Sequence, residues 1–252
     1  MNITPVVKQL LIINVIFFIG SQLVSNGAAY DYLSLYFFEN PKFQPWQLIT
    51  HMFMHAPMPN LMHIVFNMFA LYSFGSALEQ FWGGKKFLFF YISCGIGAAL
   101  IHTGVNYYFF QEGMNTLVNS GIPKDQIMEL LQKEMFDQRW SEILGKSSFE
   151  NFTGAYFGTA VGASGAIYGL LVAFAFMFPN AELMMIFLPI PIKAKFFVPG
   201  ILLLDLFLGV TGRSIFGSGG NIAHFAHIGG AIVGFLMMWY WKKNQFNNNR
   251  WN

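Results

Sequence analysis

The 252-residue chain is 55% hydrophobic and only 10% charged, which excludes an ordinary soluble domain because such domains carry about 25% charged residues. The formal net charge of +2 and the lack of a basic stripe exclude a nucleic-acid partner. The 30 phenylalanines, 14 methionines and 6 tryptophans suit surfaces that face lipid. We therefore expect a multi-pass protein of the lipid bilayer.

Six apolar runs have roughly the length that a helix needs to cross the hydrocarbon core. Each is expected to be helical, because backbone polar groups in lipid must be satisfied within their own segment. The first run is similar to a signal peptide, but it is longer than the apolar part of one and no clear cleavage site follows, so we expect it to be retained. The predicted spans cover about residues 8–27, 61–80, 86–110, 155–178, 196–212 and 222–241.

The basic residues of the short loops predict how the chain is oriented. Lysine and arginine favour the cytoplasmic side, and six alternating spans place most of the lysines on one side, including both ends of the chain. Both termini are therefore predicted to be cytoplasmic, and segments 28–60, 111–154 and 213–221 face outward. The lysines that set this orientation are Lys8, Lys85, Lys86, Lys193, Lys195, Lys242 and Lys243.

Two of the outward segments are expected to be structured. Segment 28–60 is too apolar for a solvated linker and too rich in proline for a span, so we expect an interfacial first loop. Segment 111–154 is predicted to be an outer-side insertion in a single domain of residues 1–252, with an amphipathic helix that ends near Gly145. The apolar face of that helix consists of Ile127, Leu130, Leu131, Met135 and Phe136.

Polar side chains inside spans are costly, so they are candidates for function. In "LMHIVFNMF", His63 and Asn67 are four residues apart and share one face of a helix. In "VGASGAIYG", Ser164 lies between Gly162 and Gly165. Glycine allows another helix to approach closely, which would bring a partner within reach of the hydroxyl.

The partner that the sequence indicates for the serine is a histidine in the last span. In "NIAHFAHIGGAIVG", His227 shares a face with Gly230 and Gly234, so this helix is also smooth enough for close packing. A hydroxyl becomes nucleophilic when an adjacent base takes its proton, and a neutral imidazole is the base least costly to keep in lipid. No acidic residue in the sixth span orients His227, so the pattern favours a serine–histidine dyad.

Further groups would complete such a site. The oxyanion of acyl transfer needs hydrogen-bond donors, which His63, Asn67 and the Ser164 backbone N–H could supply, while Tyr168 could stack on the imidazole. Read one at a time, a glycine-flanked serine or a single histidine is more often a helix-packing feature. The soluble esterase elbow G-x-S-x-G does not apply, because Ala166 occupies the position of its last glycine.

Other polar residues are left without an assigned role. His51 and His55 lie in the first loop, where a structural role or the lining of a water path is open, and His102 belongs to no motif. His224 lies one turn before His227, but a metal site needs three or four ligands, so a metal pair is disfavoured. Asp205, in the fifth span, is expected to bond to a neighbouring helix or to a polar group on the cytoplasmic side, and not to titrate in a mechanism.

Taken together, the motifs resemble the rhomboid family of intramembrane serine proteases. H-x-x-x-N runs from His63 to Asn67, G-x-S-G ends at Gly165, and A-H-x-x-G-x-x-x-G contains His227. "GSALE" at 75–79 is similar to the G-x-x-x-E element of that family. The family's Trp-Arg pair appears here as Trp46-Gln47, and we expect fold and activity to survive that change.

The resemblance implies an all-α bundle of six transmembrane helices that cleaves transmembrane segments of other membrane proteins near the outer face. It implies Ser164 as nucleophile, His227 as general base, His63 and Asn67 in the oxyanion hole, and Tyr168 packed on the imidazole. No metal or cofactor is implied. The insertion at 111–154 is longer than simple bacterial rhomboids carry and could dock a substrate or partner.

Two other functions compete with proteolysis. A rhomboid-like protein that binds membrane segments without cutting them is disfavoured, because inactive relatives typically lack the serine or the histidine and both are present. A transporter would predict broken helices and an internal repeat, and neither is seen in the sequence. Compact size and the lack of an organelle-targeting segment predict the bacterial inner membrane, whereas the oligomeric state is not predicted.

Overall fold

The computed structural model describes residues 2–185, 188–211 and 222–245, and helices make up most of this part of the chain. The first half contains α1 (Pro5–Leu23), α2 (Ala28–Leu33), α3 (Gln47–Thr50), α4 (Leu61–Ala70), a π-helical turn (Leu71–Gly75), α5 (Ser76–Trp82) and α6 (Gly84–Asn119). The second half contains α7 (Lys124–Gln132), α8 (Arg139–Leu144), α9 (Lys146–Phe157), α10 (Ser164–Met177), β1 (Glu182–Met185), β2 (Leu188–Lys193), α11 (Ala194–Thr211) and α12 (Ile222–Gln245).

Four helical segments are long and apolar enough to cross a membrane: α1, the continuous run Leu61–Trp82, α6 and α11. Helix α10 is apolar too, but its 14 residues are fewer than the roughly 20 that a span perpendicular to the bilayer needs. Helix α12 has 24 residues and packs most extensively against α6 and α10. The chain is therefore a multi-pass membrane protein.

The fourth predicted span differs most from the structure. We predicted a helix over 155–178, but α9 ends at Phe157 and α10 begins at Ser164, with a non-helical segment between them. Helix α9 is ended by Gly158, which is extended with a ψ of 145°, and Gly162 has a φ of +122°, which a right-handed helix cannot contain and which glycine adopts without a steric penalty. The serine is consequently the first residue of a helix and not an interior one.

The third predicted span is longer than expected. Helix α6 has 36 residues, which corresponds to about 54 Å at 1.5 Å per residue and exceeds the roughly 30 Å hydrocarbon core. Its C-terminal part packs with α8 and α9 and with Phe37 of the first loop around a hydrophobic cluster. The buried members of this cluster are Phe37, Phe110, Met114, Leu117, Ile127, Leu131, Trp140, Phe152, Ala155 and Tyr156.

The insertion does not contain the single amphipathic helix that we predicted. Helix α7 ends at Gln132, Glu134 adopts a positive φ of 57°, and α8 begins at Arg139. Ile127 and Leu131 are buried as expected, but Met135 and Phe136 lie beyond the end of α7 and are half exposed. The predicted helical spacing therefore holds for about two turns and ends where Glu134 adopts a left-handed conformation.

An ion pair connects the first loop to this insertion. The Lys42 ammonium lies 2.8 Å from the Glu134 carboxylate and 3.3 Å from the Asp31 carboxylate. The hydrogen bond to Glu134 is the main reason why the pKa of Lys42 is raised. The first loop and the insertion, which the sequence analysis treats as separate segments, are thus in contact.

A short hairpin departs from the all-α prediction. Strands β1 and β2 pair antiparallel between α10 and α11, with Glu182 opposite Lys193 and Leu183 opposite Ile192. Pro189 and Pro191 occupy β2, and proline inside a helix removes a hydrogen bond and clashes with the preceding turn. The hairpin leaves the helical architecture otherwise unchanged.

Glu79 fixes the N-terminus of α1 to the end of α5. Its carboxylate accepts hydrogen bonds from the backbone N–H groups of Val6 and Val7, at 2.9 and 2.8 Å, and from the Thr4 hydroxyl at 2.5 Å. The first N–H groups of a helix lack partners within it, and a negative charge there also interacts favourably with the helix dipole. The "GSALE" element therefore docks the first span.

We expect Glu79→Ala to lower the free energy of unfolding by about 2–4 kcal/mol, because hydrogen bonds to charged groups contribute roughly 1.5–3 kcal/mol and buried donors are left unpaired. Glu79→Gln should cost less, since its amide oxygen can still accept. Thermal unfolding in detergent measures both effects. Equal stability of Glu79→Ala and the wild type would contradict this role.

Candidate active site

Ser164 and His227 meet between α10 and α12. The serine Oγ lies 2.9 Å from the imidazole Nε2, which is within the range of a hydrogen bond that could carry a proton. The residues are 63 positions apart in sequence, so the contact depends on the packing of the two helices. The arrangement joins a hydroxyl to a base, as nucleophilic catalysis requires.

The position of Ser164 depends on the extended segment that precedes it. Leu35 of the first loop and Ala160 exchange backbone hydrogen bonds of 3.0 and 2.9 Å, and the Gly162 N–H donates to the His51 carbonyl at 2.9 Å. Because Ser164 is the first residue of α10, its backbone N–H has no acceptor within the helix. That N–H is available to an oxyanion, and the helix dipole favours negative charge there.

Tyr168 lies one turn along α10 and stacks on His227. Its ring centroid is 4.2 Å from that of the imidazole, and the ring planes differ by 8°. A face-to-face contact of this kind limits rotation of the imidazole about its side-chain bonds. The phenol ring therefore helps to hold Nε2 towards Ser164.

His63 presents one nitrogen to the region in front of the serine. The Ala56 N–H donates to His63 Nδ1 at 3.0 Å, so in the neutral ring the proton is on Nε2. A Cβ added to Gly162 would lie 3.1 Å from this Nε2 and 3.5 Å from Ser164 Oγ. His63 Nε2 thus lies close to the space beside the serine hydroxyl.

Asn67 lies one turn further along α4 and is buried. Its Nδ2 donates to the His63 carbonyl at 2.7 Å, which uses one of its two N–H bonds. Its Oδ1 finds no hydrogen-bond partner among the described residues. The structure places Asn67 on the face of His63, as the spacing predicts, but gives it no direct bond to Ser164 or His227.

Glycines let α10 and α12 approach until their backbones touch. A Cβ at Gly230 would overlap the Gly165 carbonyl oxygen, and one at Gly234 would lie 2.7 Å from the Gly169 Cα. Gly165 itself faces Ala98 of α6 at a similarly short distance. A side chain at any of these positions would separate the helices that carry the serine and the histidine.

Asp205 is the site residue that sequence reasoning missed. Its Oδ1 lies 3.4 Å from His227 Nδ1 and 2.6 Å from His224 Nδ1. We expected a dyad because the sixth span has no acid, whereas this carboxylate comes from α11. The available signal was an acidic residue inside an apolar span, but no motif linked it to the histidine.

The other histidines lie outside the contact with Ser164. His51 Nδ1 bonds to the Gln47 carbonyl at 2.8 Å, and His55 Nδ1 lies 3.3 Å from the Phe53 carbonyl. Burial is the main reason why the pKa of each is lowered to about 4, so both are neutral at pH 7. His102 bonds to Asn106 on α6.

Gln47 takes the place of the arginine in the Trp-Arg pair. Its buried side chain accepts a hydrogen bond from the Tyr36 N–H at 3.2 Å and donates to the Lys42 carbonyl at 3.0 Å. The neighbouring Trp46 indole donates to the Tyr32 carbonyl at 2.9 Å. The first loop is therefore held by neutral amide contacts.

Comparison with known proteins agrees with the motif pattern. The Rhomboid domain family model matches residues 42–122 and 132–244, which is well over half of the chain. Rhomboid protein 1, mitochondrial, of Saccharomyces cerevisiae is 24% identical over 184 residues, covering 72% of this chain and 38% of the relative. An uncharacterized mitochondrial rhomboid protein of Schizosaccharomyces pombe is 26% identical over 219 residues, covering 79% of this chain and 52% of the relative.

A third relative is also mitochondrial and rhomboid-like by name. Presenilin-associated rhomboid-like protein A, mitochondrial, of Danio rerio is 26% identical over 222 residues, covering 85% of this chain and 44% of the relative. The chain thus spans about half or less of the length of the curated relatives that it matches. The family match includes α4, α10 and α12, which carry the serine, both site histidines and the asparagine, and the chain belongs to the rhomboid family.

Proposed function

We propose that this protein is an intramembrane serine endopeptidase that cleaves transmembrane segments of other membrane proteins. The observation that carries the proposal is the 2.9 Å contact between Ser164 Oγ and His227 Nε2. Family membership supports it, since rhomboids are generally intramembrane serine proteases. An inactive membrane-segment binder would have no need of this contact.

The proton transfers follow from the hydrogen-bond partners. Asp205 accepts from the Nδ1–H of His227, which leaves the Nε2 lone pair to accept the serine proton. Ser164 Oγ then attacks the peptide carbonyl, and the imidazolium that forms returns its proton to the leaving amine. Asp205 acts as a positioning residue, because it touches the base and not the substrate, and the proton passes only between Ser164, His227 and the leaving amine.

The oxyanion is stabilised by donors from two helices. The Ser164 backbone N–H and the His63 Nε2–H converge on the space beside the serine, and the second Asn67 N–H is the third candidate. Preorganised donors of this kind contribute several kcal/mol in a site shielded from water. After acyl transfer, a water molecule deacylates the serine by the same route in reverse.

The substrate is a helix that can unwind. A peptide carbonyl within a membrane helix is bonded to its own backbone, so only a segment that opens locally can present it to Ser164. We place the site near the outer face, with six spans and both termini cytoplasmic, because this orientation keeps Lys85, Lys86, Lys193 and Lys195 inside. The bacterial inner membrane remains our prediction for the location, although the relatives above are mitochondrial by name.

Reconstitution with a model single-span substrate tests the proposal. Wild-type protein in liposomes should cut the substrate once near its outer end, whereas Ser164→Ala should produce no fragment. A serine-directed fluorophosphonate should label only the wild type. Equal cleavage by both proteins would reject Ser164 as nucleophile, and binding without cleavage across varied substrates would favour the inactive relative.

A further inference from the structure

The proposed base and two neighbouring side chains form a cluster with the donor set of a zinc site. Asp205 Oδ1, His224 Nδ1 and His227 Nδ1 all lie within 4.8 Å of one another. Their side chains are 9%, 15% and 23% exposed, respectively, so the cluster is enclosed but reachable. One carboxylate oxygen and two imidazole nitrogens, with a fourth position open, match the ligands and coordination number that Zn²⁺ takes in proteins.

The geometry needs little adjustment to accept an ion. Ligand atoms around a tetrahedral zinc are about 3.3 Å apart, given metal–ligand distances near 2.0–2.1 Å. The carboxylate oxygen is 3.4 Å from the His227 nitrogen and 2.6 Å from the His224 nitrogen. A small rotation of the His224 ring therefore opens the space that the ion would occupy.

The frame around the cluster is well packed. A Cβ added to Gly209 of α11 would lie 3.3 Å from the His224 Cβ, so α11 and α12 are close at this level. On the other side of His227, the stacked Tyr168 ring limits movement of the imidazole. The ligands thus come from two helices whose separation is fixed by packing and does not need to be set by the ion.

We propose that Asp205, His224 and His227 form an inhibitory Zn²⁺ site. An imidazole that binds the ion through Nδ1 carries its proton on Nε2, so each ring stays neutral and no proton is lost. The 2.9 Å contact to Ser164 then runs from His227 Nε2–H to the serine oxygen. The base has no lone pair left for the serine proton, and acylation stops until the ion leaves.

The consequence for activity rests on the proposed proteolytic function, whereas the binding of the ion does not. The sequence offered only a pair of histidines, which is too few for a metal site. Asp205 supplies the third ligand and also one negative charge to offset that of the ion. A hard ion such as Mg²⁺, which prefers six oxygen ligands, should not bind here.

Metal binding is measured first, on full-length protein treated with a chelator and then dialysed. Zn²⁺ titration against a chromophoric chelator should give one site in the wild type and in Ser164→Ala, and Co²⁺ should give a tetrahedral ligand-field spectrum. In His224→Gln, loss of one of three ligands should weaken Zn²⁺ binding by at least the roughly 10- to 100-fold that loss of a residue hydrogen-bonded to a ligand costs. His102→Gln is the matched control, because His102 is a buried histidine outside the cluster, and it should bind like the wild type.

Inhibition is then expressed as the ratio of cleavage rates with and without Zn²⁺ for each variant, so a change in basal rate does not enter. Zn²⁺ should lower the cleavage rate of the wild type at least tenfold, and a chelator should restore it. The ratio for His224→Gln should stay near one. Equal Zn²⁺ affinity of wild type and His224→Gln, or cleavage by a zinc-loaded wild type at its full rate, would overturn the proposal. Zinc binding by a wild type that cleaves nothing would support the site and reject the proteolytic function.

Discussion

His227→Asn is expected to lower kcat by roughly 10⁶-fold, as loss of the base does in serine proteases, with little change in KM. The physical reason is that Ser164 then has no acceptor at 2.9 Å for its proton, while the substrate-binding surface is unaltered. A Ser164→Ala, His227→Asn double variant should be no slower than either single variant. Groups that act as one unit lose their whole effect when either is removed.

The measurement is cleavage of a single-span substrate in liposomes at saturating concentration, for wild type, both single variants and the double variant. Thermal unfolding midpoints show whether each protein is folded. A double variant slower than each single variant by the product of their effects would mean that serine and histidine act independently. That result would exclude the proton transfer between them.

Gly230→Ala should lower the cleavage rate about a hundredfold or more by forcing α10 and α12 apart. The added methyl group would overlap the Gly165 carbonyl oxygen, and neither backbone can yield without moving the helix. Overpacking of a core costs about 1–3 kcal/mol, and a separation of even 1 Å at the site costs about a hundredfold in rate. We expect Gly230→Ala to lose both stability and cleavage rate.

Gly104→Ala provides the matched control. Gly104 is also in the interior of a membrane helix, α6, but a Cβ there meets nothing within 4 Å. Alanine favours a helix over glycine by up to about 1 kcal/mol, so this variant should be as stable as the wild type or slightly more. Normal activity of Gly230→Ala would show that the contact between these helices is looser than the structure indicates.

Local rules explain what could be predicted of the fold. The helices Leu61–Trp82 and Ala194–Thr211 agree with the second and fifth predicted spans to within about two residues, because hydrophobicity is the main factor that decides whether a segment enters lipid. The same rule extended the fourth span back to residue 155, because hydropathy does not detect that Gly162 adopts a left-handed φ of +122°. It also missed the β1–β2 hairpin, where Pro189 and Pro191 break the helical pattern in a segment that we treated as a loop.

In the candidate site, too, local sequence patterns predict some features and miss those that depend on the folded chain. The serine and the histidine could be paired from their flanking small residues, because the small residues that permit close packing are visible in the sequence of each helix. The contact of Asp205 with His227 could not, since the two residues lie on different helices and no spacing relates them. Likewise, Gln47 could be seen to replace an arginine, but its buried amide contacts with the first loop depend on the folded chain.

The extended segment before Ser164 ties the start of α10 to the first loop. Its hydrogen bonds run between Ala160 and Leu35 and from Gly162 to the His51 carbonyl, so the position of the serine depends on that loop. Under the proposed proteolysis, a substrate that displaces this loop on entry would also shift the hydroxyl of Ser164. Substitutions that stiffen or loosen the loop should then change the rate of the chemical step as well as the affinity for substrate.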